Sequence, residues 1–234
     1  MIVVVAHPDD EVLWFSSLLE RAANVVLAFG PYSEVPDIGP DRADAVAALP
    51  YPTTFLALPE AGTYAAVDWT APRPSPFGMV LDHASEAIRD AYERNFVRVR
   101  EQLRPLLTAD QAVFSHNPWG EYGHADHVLV FRALEQLRRE IGFRHWVSPY
   151  VSAQSAPFAR TCDSLVIGRS DPAAIDARFS TSVEAIYRQH RCWTWDTDWQ
   201  WPGEEWFLEI GDRPMNGDRT GAFELIRVTR REPA

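Results

Sequence analysis

The chain opens on an unbroken apolar run, Ile2 to Ala6 (IVVVA). Continuous apolarity over strand length marks a strand covered on both faces, as in a parallel sheet held between helix layers. Val12, Phe15, Leu19 and Ala22 then recur at helical spacing, and NVVLAF (24–29) repeats the buried-strand pattern. DRADAVAAL reads as a helix and TTFLAL (53–58) as a third strand. Between Asp82 and Leu107, residues Ile88, Tyr92, Phe96, Val99 and Leu103 fall at steps of four, four, three and four, which predicts an amphipathic helix. QAVFS (111–115) is the next strand, and 124–140 the next helix, with Phe131, Leu134 and Leu137 on one side.

This alternation predicts an α/β fold with a Rossmann-like, mainly parallel sheet and helices on both faces. Right-handed crossovers would bring the loops after successive strands to one edge. Two stretches break the rhythm. Residues 59–81, rich in proline and small side chains, read as a long loop. Residues 190–207 hold five of the nine tryptophans. No internal repeat or domain boundary is visible, so 1–234 is expected to be a single domain, with 190–234 an irregular, Trp-rich C-terminal region.

Composition narrows the partners. A hydrophobic content of 46% suits a folded protein, and a net charge of -11 argues against a nucleic-acid or anionic-membrane partner. The nearest basic cluster, Arg227 to Arg231, is short. Cys162 and Cys192 lie outside any CxxC, so a thiolate zinc site is not expected, and a disulfide framework is not implied. The apolar start is too short for a signal-peptide core and no run reaches the roughly 20 residues of a membrane span. A soluble, cytoplasmic protein is the expectation.

Chemistry concentrates in two clusters that each follow a strand. The first, AHPDDE, sets His7, Asp9, Asp10 and Glu11 where the first strand ends; like charges packed so closely call for something positive among them. The second is SHNPWGEYGHADH, in which His124 and His127 stand three apart, on one face if helical. If both strands share one sheet, both clusters meet at its carboxyl edge, where such folds bind ligands. Two histidines and an aspartate with open positions suit catalytic Zn2+, and equally Fe2+ or another divalent ion. Asp9 then becomes the candidate general base, and His124 can stabilise the negative oxygen or protonate the leaving group.

AHPDDE followed by GHADH after a strand resembles the N-acetylglucosaminyl-phosphatidylinositol de-N-acetylase (PIG-L, LmbE-like) family of metal-dependent hydrolases, over about residues 1–150. The resemblance implies that His7, Asp10 and His127 bind the metal and that Asp9 activates water. It also implies that His124 assists, with Asp126 orienting and charging its ring, and that Tyr122 polarises the substrate carbonyl. Arg42 stands roughly where the family has a sugar-contacting arginine. One departure is that Ala125 replaces the family's proline, which alters backbone preference at a helix start and no ligand.

The expected activity is removal of an acyl group, most simply acetyl, from an amino sugar or glycoside, with a small-molecule amide as the partner. Alternatives are an amidase of a thiol conjugate or other small amide, a ferrous 2-His-1-carboxylate oxygenase, and a metal-binding module without catalysis. Glu11 reads as a helix-dipole acid or a partner of a ligand. His116 reads as a structural loop residue, Asn117 and Trp119 as candidate pocket lining, and His83, His145 and His190 as surface or packing residues. Trp193, Trp195, Trp199 and Trp201 read chiefly as staples for the C-terminal region, with some rings facing substrate.

Overall fold

In a computed structural model of the chain, residues 1–31, 38–195, 199–212 and 223–226 are described. Arg227 to Arg231 lie outside them, as does part of the Trp-rich region. Seven strands form the central sheet: β1 (Ile2–Val5), β2 (Asn24–Phe29), β3 (Thr53–Leu58), β4 (Ala112–Ser115), β5 (Arg144–Val147), β6 (Val166–Arg169) and β7 (Leu208–Ile210). Their order is β3-β2-β1-β4-β5-β7-β6. The first five are parallel, and β7 runs antiparallel to both β5 and β6. The helices are α1 (Asp10–Trp14), α2 (Ile38–Ala47), α3 (Glu86–Leu103), α4 (Ala125–Ile141), α5 (Ala156–Thr161) and α6 (Ala177–Gln189).

The unbroken apolar run of β1 is explained by cover on both faces. Ile2, Val4 and Ala6 join one core with Phe96 and Val99 of α3 and Phe131 and Leu134 of α4. Val3 and Val5 point the other way, into a second core with Trp14, Phe15, Ala45 of α2 and Val183 and Tyr187 of α6. Burying each such aliphatic side chain contributes about 1.5–3 kcal/mol, so no position of β1 tolerates a polar residue cheaply.

The chain runs outward from β1 through β2 to β3, then returns to lay β4 against the other side of β1. The strand order therefore reverses between β1 and β4, and open α/β sheets form their ligand crevice at that point, beyond the carboxyl ends of the strands. Both polar clusters leave the sheet here, His7 two residues after β1 and His116 directly after β4.

Several expected elements are adjusted. The helix read over Val12 to Ala22 stops at Trp14, and a 3₁₀ segment, Ser16–Arg21, follows. The cause is the Val12 carbonyl, which accepts from the Ser16 hydroxyl and from Trp201 Nε1 at 2.7 Å. Side-chain donors of this kind compete with helical pairing. The long helix begins after its Ser85 cap, whose hydroxyl accepts from Ile88 N, and tightens into a 3₁₀ turn at Arg104–Leu106, where Pro105 removes a donor. Within 59–81, Pro74–Ser75 and Gly78–Met79 form a short antiparallel ladder inside the expected loop. The last third, which the alternation did not resolve, supplies β6, α6 and the antiparallel β7. Both cysteines are free and buried. Among the described residues no helix is long and apolar enough to cross a membrane.

Candidate metal centre

His7, Asp9, Asp10, His124 and His127 are all buried at the carboxyl edge of β1 and β4. Asp10 is the hub. Its Oδ2 accepts from His7 N at 2.7 Å and lies 3.1 Å from His7 Nδ1 and 3.4 Å from His127 Nε2. Trp14 Nε1 donates to its Oδ1 at 3.2 Å, one helical turn on. Asp10 is held well below the usual carboxylate range; burial alone would raise it, but His127 and His116 outweigh that. Around His7, burial is outweighed by Glu60, Asp10 and Asp126, and the imidazole rises to about 10. A surround that negative attracts a cation, whether a proton or a metal.

Among the described residues, three overlapping sets have ligand atoms within 4.8 Å of one another: His7–Asp10–His127, His7–His124–Asp126 and His116–Glu121–His127. Hydrogen bonding separates them. In the third set, His116 Nδ1 and His127 Nδ1 already meet Glu121 Oε2 at 3.0 and 2.7 Å. In the second, Asp126 Oδ1 accepts from Thr63 and His124 Nδ1 accepts from Asp126 N at 3.1 Å. In the first, His127 Nε2 is buried without a hydrogen-bond partner. A buried, unpaired polar atom costs about 1–3 kcal/mol, and an ion between His7, Asp10 and His127 would remove that cost. The donor set, two imidazoles and a carboxylate, suits zinc or ferrous iron.

Asp9 caps α1 in the left-handed region, at φ 97°. Such a conformation costs about 1–3 kcal/mol for a non-glycine residue and persists only where its surroundings hold it. Here Asp9 N donates to Glu11 Oε2, while Thr194 donates to Asp9 Oδ2. Glu11 is in turn anchored by the hydroxyls of Tyr51, at 2.7 Å, and Tyr187, at 2.5 Å. It thus acts as an interior post beneath the motif rather than as a solvated helix acid. Burial, then the neighbouring Asp10 charge, push the Asp9 carboxyl up to about 8.

His124 is the cap of α4, in extended conformation, and so does not sit on the helix with His127. Its ring still stacks on that of His127, with centroids 4.8 Å apart. The Asp126 carboxylate does not orient it: that group lies 3.4 Å from His7 Nε2, and it is the Asp126 backbone N–H that reaches His124. Since Nδ1 accepts, the neutral ring carries its proton on Nε2. Burial, then the His7 charge, hold this imidazole well below 6.5. The Tyr122 ring packs 5.8 Å from His124 and 5.3 Å from His127.

Of the three expected substrate contacts, Asn117 and Trp119 are scaffold instead. Asn117 and Trp119 are fully buried. Asn117 Oδ1 accepts from Trp119 N and Glu121 N, its Nδ2 donates to Tyr150 O, and Trp119 Nε1 donates to the same carbonyl at 2.7 Å. Every one of these polar groups is used in folding the loop, so none lines a pocket. Arg42 is buried too, donating to Gly30 O and paired with Glu60. His145, packed at 0% exposure, shares a 2.7 Å hydrogen bond with Ser115 Oγ. In the tryptophan segment, Trp195 packs edge-on against Trp14 at 5.1 Å and lies 5.2 Å from Tyr122. The staple therefore reaches the centre's wall.

No family model matches the chain, and no curated protein matches it. Solved structures do. The zinc-inhibited form of teicoplanin deacetylase Orf2 superposes with a TM-score of 0.54 at 12% identity, covering 90% of this chain and 97% of that one. The chain shares its fold. A deacetylase–bog complex from teicoplanin biosynthesis gives 0.52 at 15% identity, with 90% and 97% covered. The A40926 pseudoaglycone deacetylase Dbv21 gives 0.51 at 13%, with 91% and 97% covered. The resemblance seen in the two motifs and the likeness of the whole fold thus point the same way. Residues not assigned to the centre from sequence complete the site: Glu60, His116, Glu121 and Thr194. Of these His116 and Glu121 carried a sequence signal, since both lie within the second polar cluster.

Proposed function

We propose that this protein is a metal-dependent hydrolase that removes an acyl group from nitrogen, with an N-acetylated amino sugar or glycoside as its substrate class. The observation that carries this reading is the buried, unpartnered His127 Nε2 facing Asp10 and His7. His7, Asp10 and His127 would hold the ion, zinc or ferrous iron. Bound there, it supplies Lewis acidity, bringing the pKa of water toward about 7 and drawing charge from an acyl oxygen.

The chain's own residues divide the remaining work. Thr194 occupies Asp9 Oδ2, and no hydrogen bond among the described residues reaches Oδ1. Oδ1 takes a proton as water oxygen bonds to the acyl carbon. His124, neutral and protonated on Nε2, donates that N–H to the developing oxyanion. Its Nδ1 is committed to Asp126 N, which disfavours the doubly protonated ring that a general acid needs. Asp9 therefore returns its proton to the nitrogen as the carbon–nitrogen bond breaks, leaving a carboxylic acid and an amine. Burial, by raising Asp9, suits it to both transfers.

The acceptor has room beside His124. Tyr64, its ring 5.6 Å from that of His124, forms one wall of a cavity of about 450 Å³. Asp68, Trp69, Thr70, His83 and Gln154 are among its other lining residues. Rings with amide and hydroxyl groups between them suit a sugar's alternating apolar and hydroxylated faces. The structural neighbours, being deacetylases by name, support the reaction class. The test is release of free amine from N-acetylated sugars, nucleotide sugars and small glycosides by zinc- or iron-loaded protein. Silence across that panel with both metals would overturn the reading.

A further inference from the structure

Glu121 lies outside the set expected to hold the ion, and it is 0% exposed. The loop carrying it is wound to turn this side chain inward: Gly120 and Glu121 both adopt positive φ, at 69° and 51°, and Asn117 Oδ1 holds Glu121 N at 2.9 Å. At Gly120 a Cβ would come within 2.5 Å of the His124 carbonyl, so the turn admits no larger residue.

Four donors converge on the carboxylate. Oε1 accepts from Asn117 N at 3.1 Å and from the Ser148 hydroxyl. Oε2 accepts from His127 Nδ1 at 2.7 Å and His116 Nδ1 at 3.0 Å. The tautomers follow from the other ring nitrogens. His116 Nε2 accepts from Ala6 N at 2.9 Å, so its proton is on Nδ1. A proton on His127 Nδ1 leaves Nε2 as a bare lone pair, the same atom that has no partner. The two rings stack with centroids 3.7 Å apart and planes 19° from parallel, which blocks rotation of either.

We propose that Glu121 is a positioning residue: by accepting an N–H from both imidazoles on one oxygen, it fixes His127 with Nε2 presented to the metal and locks His116 behind it. This rests on the metal-centre reading above. The connected path from Ala6 through His116 and Glu121 to His127 also joins the ends of β1 and β4, so the two motif segments are set at a fixed spacing before any ion arrives. Carboxylates behind metal-bound imidazoles act in this way, and their loss weakens binding about 10–100-fold.

The experiment measures zinc affinity of the full chain by chelator competition, with the visible spectrum of the cobalt form alongside. Glu121→Gln keeps the shape and removes the charge; its dissociation constant should rise about 10–100-fold, with altered cobalt bands. Ser148→Ala removes a donor from the other oxygen and an acceptor from Asn117 Nδ2, keeps both imidazole contacts on Oε2, and should leave both readouts at wild-type values. A folded Glu121→Gln protein with wild-type affinity and spectrum overturns the proposal. Nitrogen-15 spectra of the zinc-loaded wild type need no variant: His127 must be metallated at Nε2 and protonated at Nδ1, and the reverse tautomer also overturns it. Wild-type protein that takes up no metal sinks both this proposal and the hydrolase reading. Metal binding with the expected Glu121 dependence but no amine release sinks the hydrolase reading alone.

Discussion

Thr194 donates both its backbone N–H and its hydroxyl to one oxygen of Asp9, each at 2.8 Å, across 185 residues of sequence. A hydrogen bond to a charged group contributes about 1.5–3 kcal/mol. Thr194→Val keeps the shape and the backbone donor but removes the hydroxyl. The turnover number should fall about tenfold or more, as Asp9 gains freedom to swing, while zinc affinity is unchanged. Thr194→Ser should restore it. Steady-state kinetics of amine release, paired with chelator competition, checks both halves.

Asp9 and His127 should fail in different ways. Asp9→Asn is expected to lower turnover by about 10²–10⁴-fold while zinc stays bound, because proton transfer is lost and the ligand set is intact. His127→Ala should lose the metal itself. Metal content after gel filtration separates the two, and near-normal turnover in Asp9→Asn would remove the role assigned to that carboxylate.

His124 should behave as an electrostatic donor. Its Nδ1 is committed to Asp126 N, so in the proposed mechanism the working group is a neutral Nε2–H. His124→Ala should cost about 10²–10³ in turnover, in line with losing one oxyanion donor, with zinc affinity unchanged. Amides with better leaving amines should be slowed just as much, since the proposed mechanism draws the nitrogen's proton from Asp9. A His124→Ala defect that vanished with activated amides would mark the residue as an acid instead.

Acid stability should have a contribution from Glu135, on α4 far from the motifs. Burial alone would raise this carboxyl, but the His145 ring 3.5 Å away and hydrogen bonds from Arg138 hold it at about 2. A folded-state value below the unfolded one gives stability that is present above about pH 4.5 and is lost as pH falls through 2. The gap is worth roughly 3 kcal/mol. Denaturant titrations should show wild type losing this amount between pH 5 and 2 and Glu135→Gln losing less. Equal slopes would place the acid sensitivity elsewhere.

Sequence carried the parts of this molecule that depend on near neighbours. β1 and β2 announce themselves because burial on both faces leaves almost no polar position, and His7, Asp10 and His127 because they lie in two dense polar clusters that each follow a strand. What escaped depends on distant partners. The end of α1 is set by Trp201, 189 residues away along the chain. Asn117 and Trp119 looked like pocket lining because a polar and an aromatic residue beside a motif have the same appearance whether they face solvent or Tyr150 O. Glu60 and Thr194 carry no local pattern at all. The strand β7 was unreadable as part of the sheet, since antiparallel insertion into a parallel sheet leaves no mark on three residues.

That late strand has a consequence for the first motif. Among the described residues β6 pairs with the rest of the sheet only through β7, and Thr194 falls between those two strands in sequence. The stretch that grips Asp9 is thus moored at its far end by the inserted strand and nearer by Trp201 on the Val12 carbonyl, so damage at the sheet's distant margin would be transmitted to the motif that follows β1.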